Sequence, residues 1–170
     1  MSGGILMSTM EAPEVRMIRR GRLEEIDQII EIGSKLLERS NNSEVPICRV
    51  AVFQAIREFI RVPDKALLVA EHDGSLTGLL MLAAEPFWWD NQRSGRRYVS
   101  DWAFFSERYG DGLKLIKIGM EWAWKLPRVV EVTIARNFTN AEDAADVMFE
   151  KAGFKRAGAM YTAPKPVQEN

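Results

Sequence analysis

The sequence predicts an α/β (α+β) domain built around one mixed, mostly antiparallel central sheet. Segments whose apolar residues alternate, as in strands, are interspersed with segments whose apolar residues recur every three or four positions, as in helices. Turn residues separate these segments, and neither a linker nor an internal repeat divides the chain. At 170 residues the chain has the length of one ordinary domain. We expect a single domain over residues 14–163, with a disordered tail at 1–13 and a C-terminal tail at 164–170.

The first part of the chain predicts a strand followed by two helices. VRMIR at 15–19 alternates apolar and basic residues, as a half-buried strand does. From Leu23 the period changes to that of a helix, and acidic residues occupy its first turn, where the helix dipole favours negative charge. A polar cluster at 40–46 separates this helix from a second amphipathic helix around 52–60, which Pro63 must end.

The remaining segments predict three strands, then helix, strand, helix and strand. Two apolar strands flank Asp73 and Gly74, a pair that suits the positive φ angles of a two-residue hairpin turn. His72 beside that turn is expected to be a solvated loop residue. A third strand, RYVSDWAFF, leads towards a mostly buried helix beyond Gly112. The later elements are a strand at 129–135, a helix closed by a glycine and a last strand, KRAGAMYT; their crossovers permit parallel neighbours.

Composition narrows the classes of function. The formal net charge of −1, from 23 basic and 24 acidic residues, provides no field that would attract nucleic acid or a membrane surface. The chain has one cysteine, Cys48, and one histidine, too few ligands for an ordinary zinc site. No window has the pattern of a signal peptide or the length of a membrane span. We expect a cytoplasmic protein without a metal ion, a nucleic-acid partner or a membrane anchor.

The segment SERYGDGLKLI, residues 106–116, places two glycines between a predicted strand and a predicted helix. A helix N-terminus presents unbonded N–H groups and a positive dipole, and it therefore binds anions. Gly110 and Gly112 lack the Cβ atoms that would keep a pyrophosphate from the backbone, although they also suit a simple tight turn. The segment is not a P-loop, because no lysine directly follows Gly112, and it lacks the third glycine of the dinucleotide fingerprint, because that position is Leu115.

ERYGDG resembles the acyl-coenzyme A signature of the GNAT N-acetyltransferases, Q/R-x-x-G-x-G/A, which lies between the fourth strand and the third helix of that fold. Downstream, AADVMFEKAGF resembles the family's late helix, A-x-x-L-Y-x-K-x-G-F. The predicted element order matches the family over nearly the whole chain. The resemblance implies a sheet of six or seven strands flanked by about four helices. It also implies acetyl-coenzyme A as cosubstrate, direct transfer of the acetyl group to a primary amine on a small molecule or protein, and a homodimer, which is frequent in the family.

The resemblance also implies which residues bind the coenzyme. They are Phe104, Phe105, Arg108, Tyr109, Gly110, Asp111, Gly112 and Asn140. Backbone groups around Phe104 and Phe105 would hold the pantetheine arm and polarise the thioester carbonyl. Asn140 would either replace an asparagine that the family carries two residues later or cap the late helix. Lys114 and Lys117 would reach the adenosine 3′-phosphate or form a solvated helix face. On this interpretation, Gly112→Asp abolishes coenzyme binding and leaves the fold nearly intact.

Transfer to an amine requires a base, because most primary amines are protonated at pH 7. In the family this base is often a carboxylate on the central strands, and Asp101, just upstream of the phosphate loop, is the expected catalytic residue. Asp101 would alternatively pair with Arg96 or Arg97. Glu85 and Glu131 are competing bases. Near the acceptor, two aromatic residues would form a wall, hold a cationic amine or simply pack: Trp88 and Trp89.

Two positions depart from the family pattern. Glu107 stands where the motif has Gln or Arg, and its charge would repel a pyrophosphate if it pointed inward, in which case Arg108 would take over the role. Phe149 stands where many relatives have a tyrosine that protonates the departing thiolate. A thiol, with a pKa of about 8.5, tolerates departure without a dedicated acid. The alternative function is a catalytically silent protein of GNAT fold that binds coenzyme A or a protein partner.

Overall fold

The computed structural model describes residues 16–38, 46–87, 89, 94–135 and 142–156. In these residues the elements are β1 (Arg16–Arg20), α1 (Ile26–Glu38), α2 (Arg49–Arg61), β2 (Lys65–His72), β3 (Ser75–Pro86), β4 (Arg97–Ser106), α3 (Tyr109–Lys125), β5 (Val129–Thr133) and α4 (Glu142–Lys151). A 3₁₀ turn over Leu23–Glu25 precedes α1. This order is the predicted one as far as α4. Most of the predicted last strand, at 157–162, and most of both tails lie outside the described residues.

The five strands of the described residues form one sheet in the order β1-β2-β3-β4-β5. Neighbours from β1 to β4 are antiparallel, and β5 runs parallel to β4. The sheet is therefore mixed and mostly antiparallel, as the sequence predicts, although the described part has five strands where six or seven were expected. The predicted hairpin turn is confirmed: Asp73 and Gly74 have φ angles of 48° and 79° between β2 and β3.

The two faces of the sheet are covered by different helices. α1 and α2 pack on one face, around buried side chains that include Ile29, Phe59 and Leu79. α3 packs on the other face together with α4, around a second core that includes Leu80 and Leu115. Because side chains alternate between the faces of a strand, neighbouring residues of β2 and β3 supply the two cores in turn. This double burial explains why these strands are continuous apolar runs in the sequence.

Two side chains differ in exposure from their predicted environment. His72 is the last residue of β2, its side chain is only 10% exposed, and its Nδ1 lies 3.2 Å from the carboxylate of Asp73. The prediction of a solvated loop residue is wrong because the turn begins one residue later. Trp124, on the helix predicted to be mostly buried, is 50% exposed.

A β-bulge at Trp102 decides which side chains of β4 face which core. Met81 pairs with Ala103 but Leu82 pairs with Asp101, so Trp102 is the extra residue. Beyond the bulge, Phe104 belongs to the core under α3 and Phe105 to the core under α1 and α2. Since side chains alternate along a strand, a regular ladder would have exchanged these two rings.

Candidate functional site

β4 is paired along both edges only in its first half. The pairing with β5 covers Arg97–Ser100 of β4 and ends at Thr133, whereas the pairing with β3 continues to Ser106. Within the described ranges, no strand pairs with the other edge of β4 beyond Ser100. Backbone N–H and C=O groups on that edge have no ladder partner in β5, so they can bond to a ligand that enters between the two strands.

Asp101 lies where β4 and β5 separate. Its Oδ1 accepts a hydrogen bond of 2.7 Å from the backbone N–H of Ala135, which follows β5. Burial raises the pKa of the Asp101 carboxyl from 3.8 to about 6, and this effect outweighs the opposing effect of its backbone hydrogen bonds. The group is therefore ionised at pH 7 but more basic than an ordinary aspartate. Arg97, one of the two arginines considered as its partner, instead binds Asp64 at 3.0 Å.

The connection from β4 to α3 contains only Glu107 and Arg108. The carbonyl of Arg108 accepts three hydrogen bonds: one of 2.6 Å from Ser106 Oγ and one of 3.1 Å from each N–H group of Asp111 and Gly112. α3 therefore begins at a sharply defined turn. Its leading N–H groups come before the first hydrogen bonds within the helix and form its anion-attracting end.

Thr77 anchors this turn from the neighbouring strand. A bulge in the β2–β3 pairing leaves Thr77 without a partner in β2. Its carbonyl accepts the N–H of Glu107 at 2.9 Å, and its hydroxyl donates to Oδ2 of Asp111 at 3.2 Å. Thr77 and Asp111 are both buried. The side chain of Asp111, a predicted coenzyme residue, thus points into the protein and holds the turn, so it does not face a ligand.

The two glycines of the motif have opposite surroundings. A Cβ atom on Gly110 would meet nothing within 4 Å, whereas a Cβ on Gly112 would lie 3.0 Å from Sδ of Met148 and 3.4 Å from Cζ of Phe104. Gly110 therefore leaves open space beside the end of α3, and Gly112 permits close packing of α3 against β4 and α4. A carboxylate at position 112 would enter this apolar contact, so the structure leads us to expect that Gly112→Asp destabilises the fold, contrary to the expectation from the sequence.

The charge of Glu107 is compensated by a lysine from α1. Nζ of Lys35 donates a hydrogen bond of 2.9 Å to Oε1 of Glu107, and it also lies 3.9 Å from Oε1 of Glu31. The side chain of Glu107 is thus directed towards α1. Sequence reasoning missed both Lys35 and Thr77, because each lies at least thirty positions from the residue that it binds and no local motif marks it.

The aromatic residues of the predicted site are partly assembled. Phe104 and Phe105 are buried on opposite faces of β4. The ring of Phe149 lies 6.3 Å from that of Phe104 and 5.9 Å from that of Phe154. Trp89 is exposed, and the centre of its ring lies 4.8 Å from the centre of the Phe87 ring.

The other predicted residues are scattered or fall outside the description. Glu85 accepts a hydrogen bond of 3.1 Å from the hydroxyl of Tyr98, Glu131 is exposed on β5, and Lys114 and Lys117 are exposed on α3. Three predicted elements of the site lie outside the described residues: Asn140, Trp88 and the side chain of Tyr109.

Neither a metal cluster nor a membrane-spanning helix is found in the described part of the chain. Over those residues, no group of three or more His, Cys, Asp or Glu side chains could share an ion. No helix there combines the length and the apolar character that crossing a membrane requires.

Comparison with solved structures identifies the fold. The chain is similar to the aminoglycoside N-acetyltransferase AAC(6')-Iy in complex with the bisubstrate analogue CoA-S-monomethyl-acetylneamine, with a TM-score of 0.67 and 14% identity over 90% of this chain and 99% of the other. It is similar to the aminoglycoside 6'-N-acetyltransferase AAC(6')-Ih of Acinetobacter baumannii, with a TM-score of 0.65 and 14% identity over 90% and 99% of the two chains. The chain is also similar to a transcriptional regulator from Bacillus halodurans, with a TM-score of 0.67 and 15% identity over 89% of this chain and 100% of the other.

At these identities, the likeness shows the fold alone. No protein-family model matches the sequence, and a search of curated protein sequences finds no match. The architecture is that of the GNAT acetyltransferases, as the two sequence motifs predict.

Proposed function

We propose that this chain, which has the fold of the GNAT acetyltransferases, is an acetyl-coenzyme A-dependent N-acetyltransferase. The observation that carries the proposal is the geometry at the end of β4. Beyond Ser100, β4 no longer pairs with β5, and after a connection of two residues the helix α3 begins. In the first turn of α3, the space beside Gly110 is empty. A partly buried carboxylate, Asp101, lies at the point of separation.

The residues at this end of the sheet suit the coenzyme. The N-terminus of α3 attracts the pyrophosphate, and the open side of Gly110 lets it approach the backbone. The edge of β4 beyond Ser100 offers backbone groups to the amides of the pantetheine arm. Exposed Lys114 and Lys117 lie on the same helix and are available to the 3′-phosphate. The coenzyme would supply the acetyl group as an activated thioester.

Asp101 is the best-supported base. Attack on the thioester forms a C–N bond and breaks the C–S bond, and the attacking amine must lose a proton. A carboxylate with a pKa of about 6 is largely ionised at pH 7 and accepts that proton more readily than an unperturbed aspartate. The hydrogen bond from Ala135 fixes one of its oxygens. Backbone N–H groups near Phe104 and Phe105 would stabilise the developing oxyanion.

The acceptor we propose is an amine. Two of the neighbouring proteins are named as aminoglycoside N-acetyltransferases, and one of them is in complex with the bisubstrate analogue CoA-S-monomethyl-acetylneamine. Phe149 has no proton to donate, so the coenzyme sulfur would depart as a thiolate and take a proton from water. This position also supports the second candidate, a catalytically silent protein of the same fold that binds coenzyme A.

Two measurements separate these functions. The first is titration calorimetry with coenzyme A, and the second is the release of free thiol from acetyl-coenzyme A in the presence of each of a panel of amines. Binding together with amine-dependent thiol release supports the enzyme. Binding without release for any amine favours the silent protein. The absence of binding at millimolar coenzyme A would contradict both.

Asp101→Asn is expected to lower kcat by about a hundredfold without changing the affinity for coenzyme A, because it removes the base and keeps the acceptor for the Ala135 N–H. In the unmodified protein, kcat/KM should rise with pH through about 6 as Asp101 loses its proton. The matched control is Glu131→Gln, which removes an exposed carboxylate from β5. A larger loss of kcat in the control than in Asp101→Asn would refute the assignment.

The same variant has a predicted effect on stability. Since folding raises the pKa of Asp101, its ionised form disfavours the folded state, and stability falls as pH rises from about 4 to about 6. Asp101→Asn should remove that dependence and, at pH 8, raise the free energy of unfolding by up to about 3 kcal/mol. The variant should therefore unfold at a higher urea concentration than the unmodified protein at that pH. A variant that is less stable at pH 8 would show that the carboxylate is needed for folding.

A further inference from the structure

The ion pair between Glu107 and Lys35 joins the turn before α3 to the helix α1. The two residues are 72 positions apart, and their charged atoms are 2.9 Å from each other. Their side chains are 35% and 39% exposed. Glu107 lies two residues before the start of α3, and Asp111 lies two residues after it. Asp111 is buried and accepts a hydrogen bond from Thr77, so Glu107 carries the partly exposed carboxylate nearest in sequence to the end of the helix where the pyrophosphate would bind.

We infer that Lys35 neutralises Glu107 and thereby sets the affinity of the α3 N-terminus for the pyrophosphate of coenzyme A. This inference rests on the proposed function. A pyrophosphate diester carries about two negative charges at neutral pH, and an uncompensated carboxylate within about 10 Å would repel both of them. A lysine in hydrogen-bond contact with that carboxylate cancels most of the repulsion. The turn therefore tolerates an acidic residue where the motif usually has a neutral or basic one.

A purely structural role for the ion pair is less consistent with its surroundings. α1 is already held on the sheet by four buried side chains: Ile26, Ile29, Ile32 and Leu36. The turn is held separately by the two hydrogen bonds to Thr77. Partly exposed ion pairs of this kind contribute little to folding stability. Their charges still act on a ligand that binds beside them, because a phosphate group feels the net local charge.

The test is a set of four variants measured by titration calorimetry at low salt against two probes. The variants are Lys35→Met, Glu107→Gln, the double variant Lys35→Met/Glu107→Gln, and Glu31→Gln. Coenzyme A is one probe, and pantetheine, which lacks the pyrophosphate and the nucleotide, is the other. Glu31→Gln is the matched control, because Glu31 is the second carboxylate near Lys35 but lies on α1 and not on the turn.

Lys35→Met should weaken coenzyme A binding by about threefold to tenfold, since it exposes the charge of Glu107 to the pyrophosphate. The double variant should bind coenzyme A within about twofold of the unmodified protein, because neither charge remains. Glu107→Gln should bind at least as tightly as the unmodified protein, and Glu31→Gln should not differ from it. The affinity for pantetheine should be the same in all four variants, which a general disturbance of the fold would not produce.

The inference would be overturned by a double variant that binds coenzyme A as weakly as Lys35→Met, or by equal losses for coenzyme A and pantetheine. The first would mean that Lys35 contacts the phosphates itself, and the second that it supports the fold. Failure of the unmodified protein to bind coenzyme A would refute the proposed function. Binding by the unmodified protein with no change in any variant would refute only the role of Lys35.

Discussion

The inner and outer sides of the first turn of α3 have opposite properties, although they belong to one short motif. On the inner side, Gly112 and Asp111 are buried and held by Thr77 and by contacts with the second core. On the outer side, Gly110 faces open space, and the exposed Glu107 is bonded to a lysine from another helix. The inner side therefore determines where the helix begins, and the outer side is free to meet a ligand.

The start of α3 explains this division. A helix turns through about 100° per residue, so residues two positions apart lie about 200° from each other and face opposite sides. Because α3 begins at Tyr109, both glycines lie within it and cannot serve the same surface. Had they preceded the helix as a loop, as the sequence pattern suggested, both could have lined the anion site. Substitutions on the two sides should thus have different consequences.

The largest effect is expected on the inner side. Gly112→Asp should destabilise the protein by about 3–5 kcal/mol, because it inserts a charged group against Met148 and Phe104. Urea unfolding followed by circular dichroism measures this loss. Gly33→Asp is the control, since a Cβ on Gly33, within α1, meets nothing within 4 Å. Equal stability of Gly112→Asp and the control would contradict the packing role.

An intermediate effect is expected from the residue that anchors the inner side. Thr77→Val keeps the shape of the side chain but removes the hydroxyl that bonds to Asp111, which should cost about 1–3 kcal/mol. Thr133→Val is a matched control, because the hydroxyl of Thr133 makes only a long bond of 3.4 Å. The comparison fails if both variants unfold at the same urea concentration.

The smallest change in free energy is expected on the outer side, and it should affect binding and not folding. Gly110→Asp places a negative charge in the open space beside the helix end and should weaken coenzyme A binding by about tenfold. Its unfolding midpoint should stay close to that of the unmodified protein, because nothing lies within 4 Å of the new Cβ. Calorimetry with Gly33→Asp controls for the added charge. Unchanged affinity in Gly110→Asp would mean that the pyrophosphate binds elsewhere.

The order of elements and the position of the candidate site were predictable from sequence because they depend on neighbouring residues. The period of apolar side chains distinguishes strands from helices, and the Asp73–Gly74 pair specifies its own turn. The glycine motif begins directly after β4, as the resemblance implies, but its two glycines lie within the first turn of α3 and not in a loop before it. Asp101 was chosen as the expected base from its position just before that motif, and its catalytic role stays a prediction.

What only the tertiary structure decided involves residues far apart in the chain. The Thr77–Asp111 and Asp101–Ala135 hydrogen bonds each join residues 34 positions apart, and the Lys35–Glu107 pair joins residues 72 positions apart. The bulge at Trp102, which assigns Phe104 and Phe105 to opposite cores, depends on the register with β3. The sequence by itself determined the elements, their order and the location of the motif. Packing decided which side of the motif is buried, which carboxylate is desolvated and which charge is neutralised, because these properties depend on what lies across the fold.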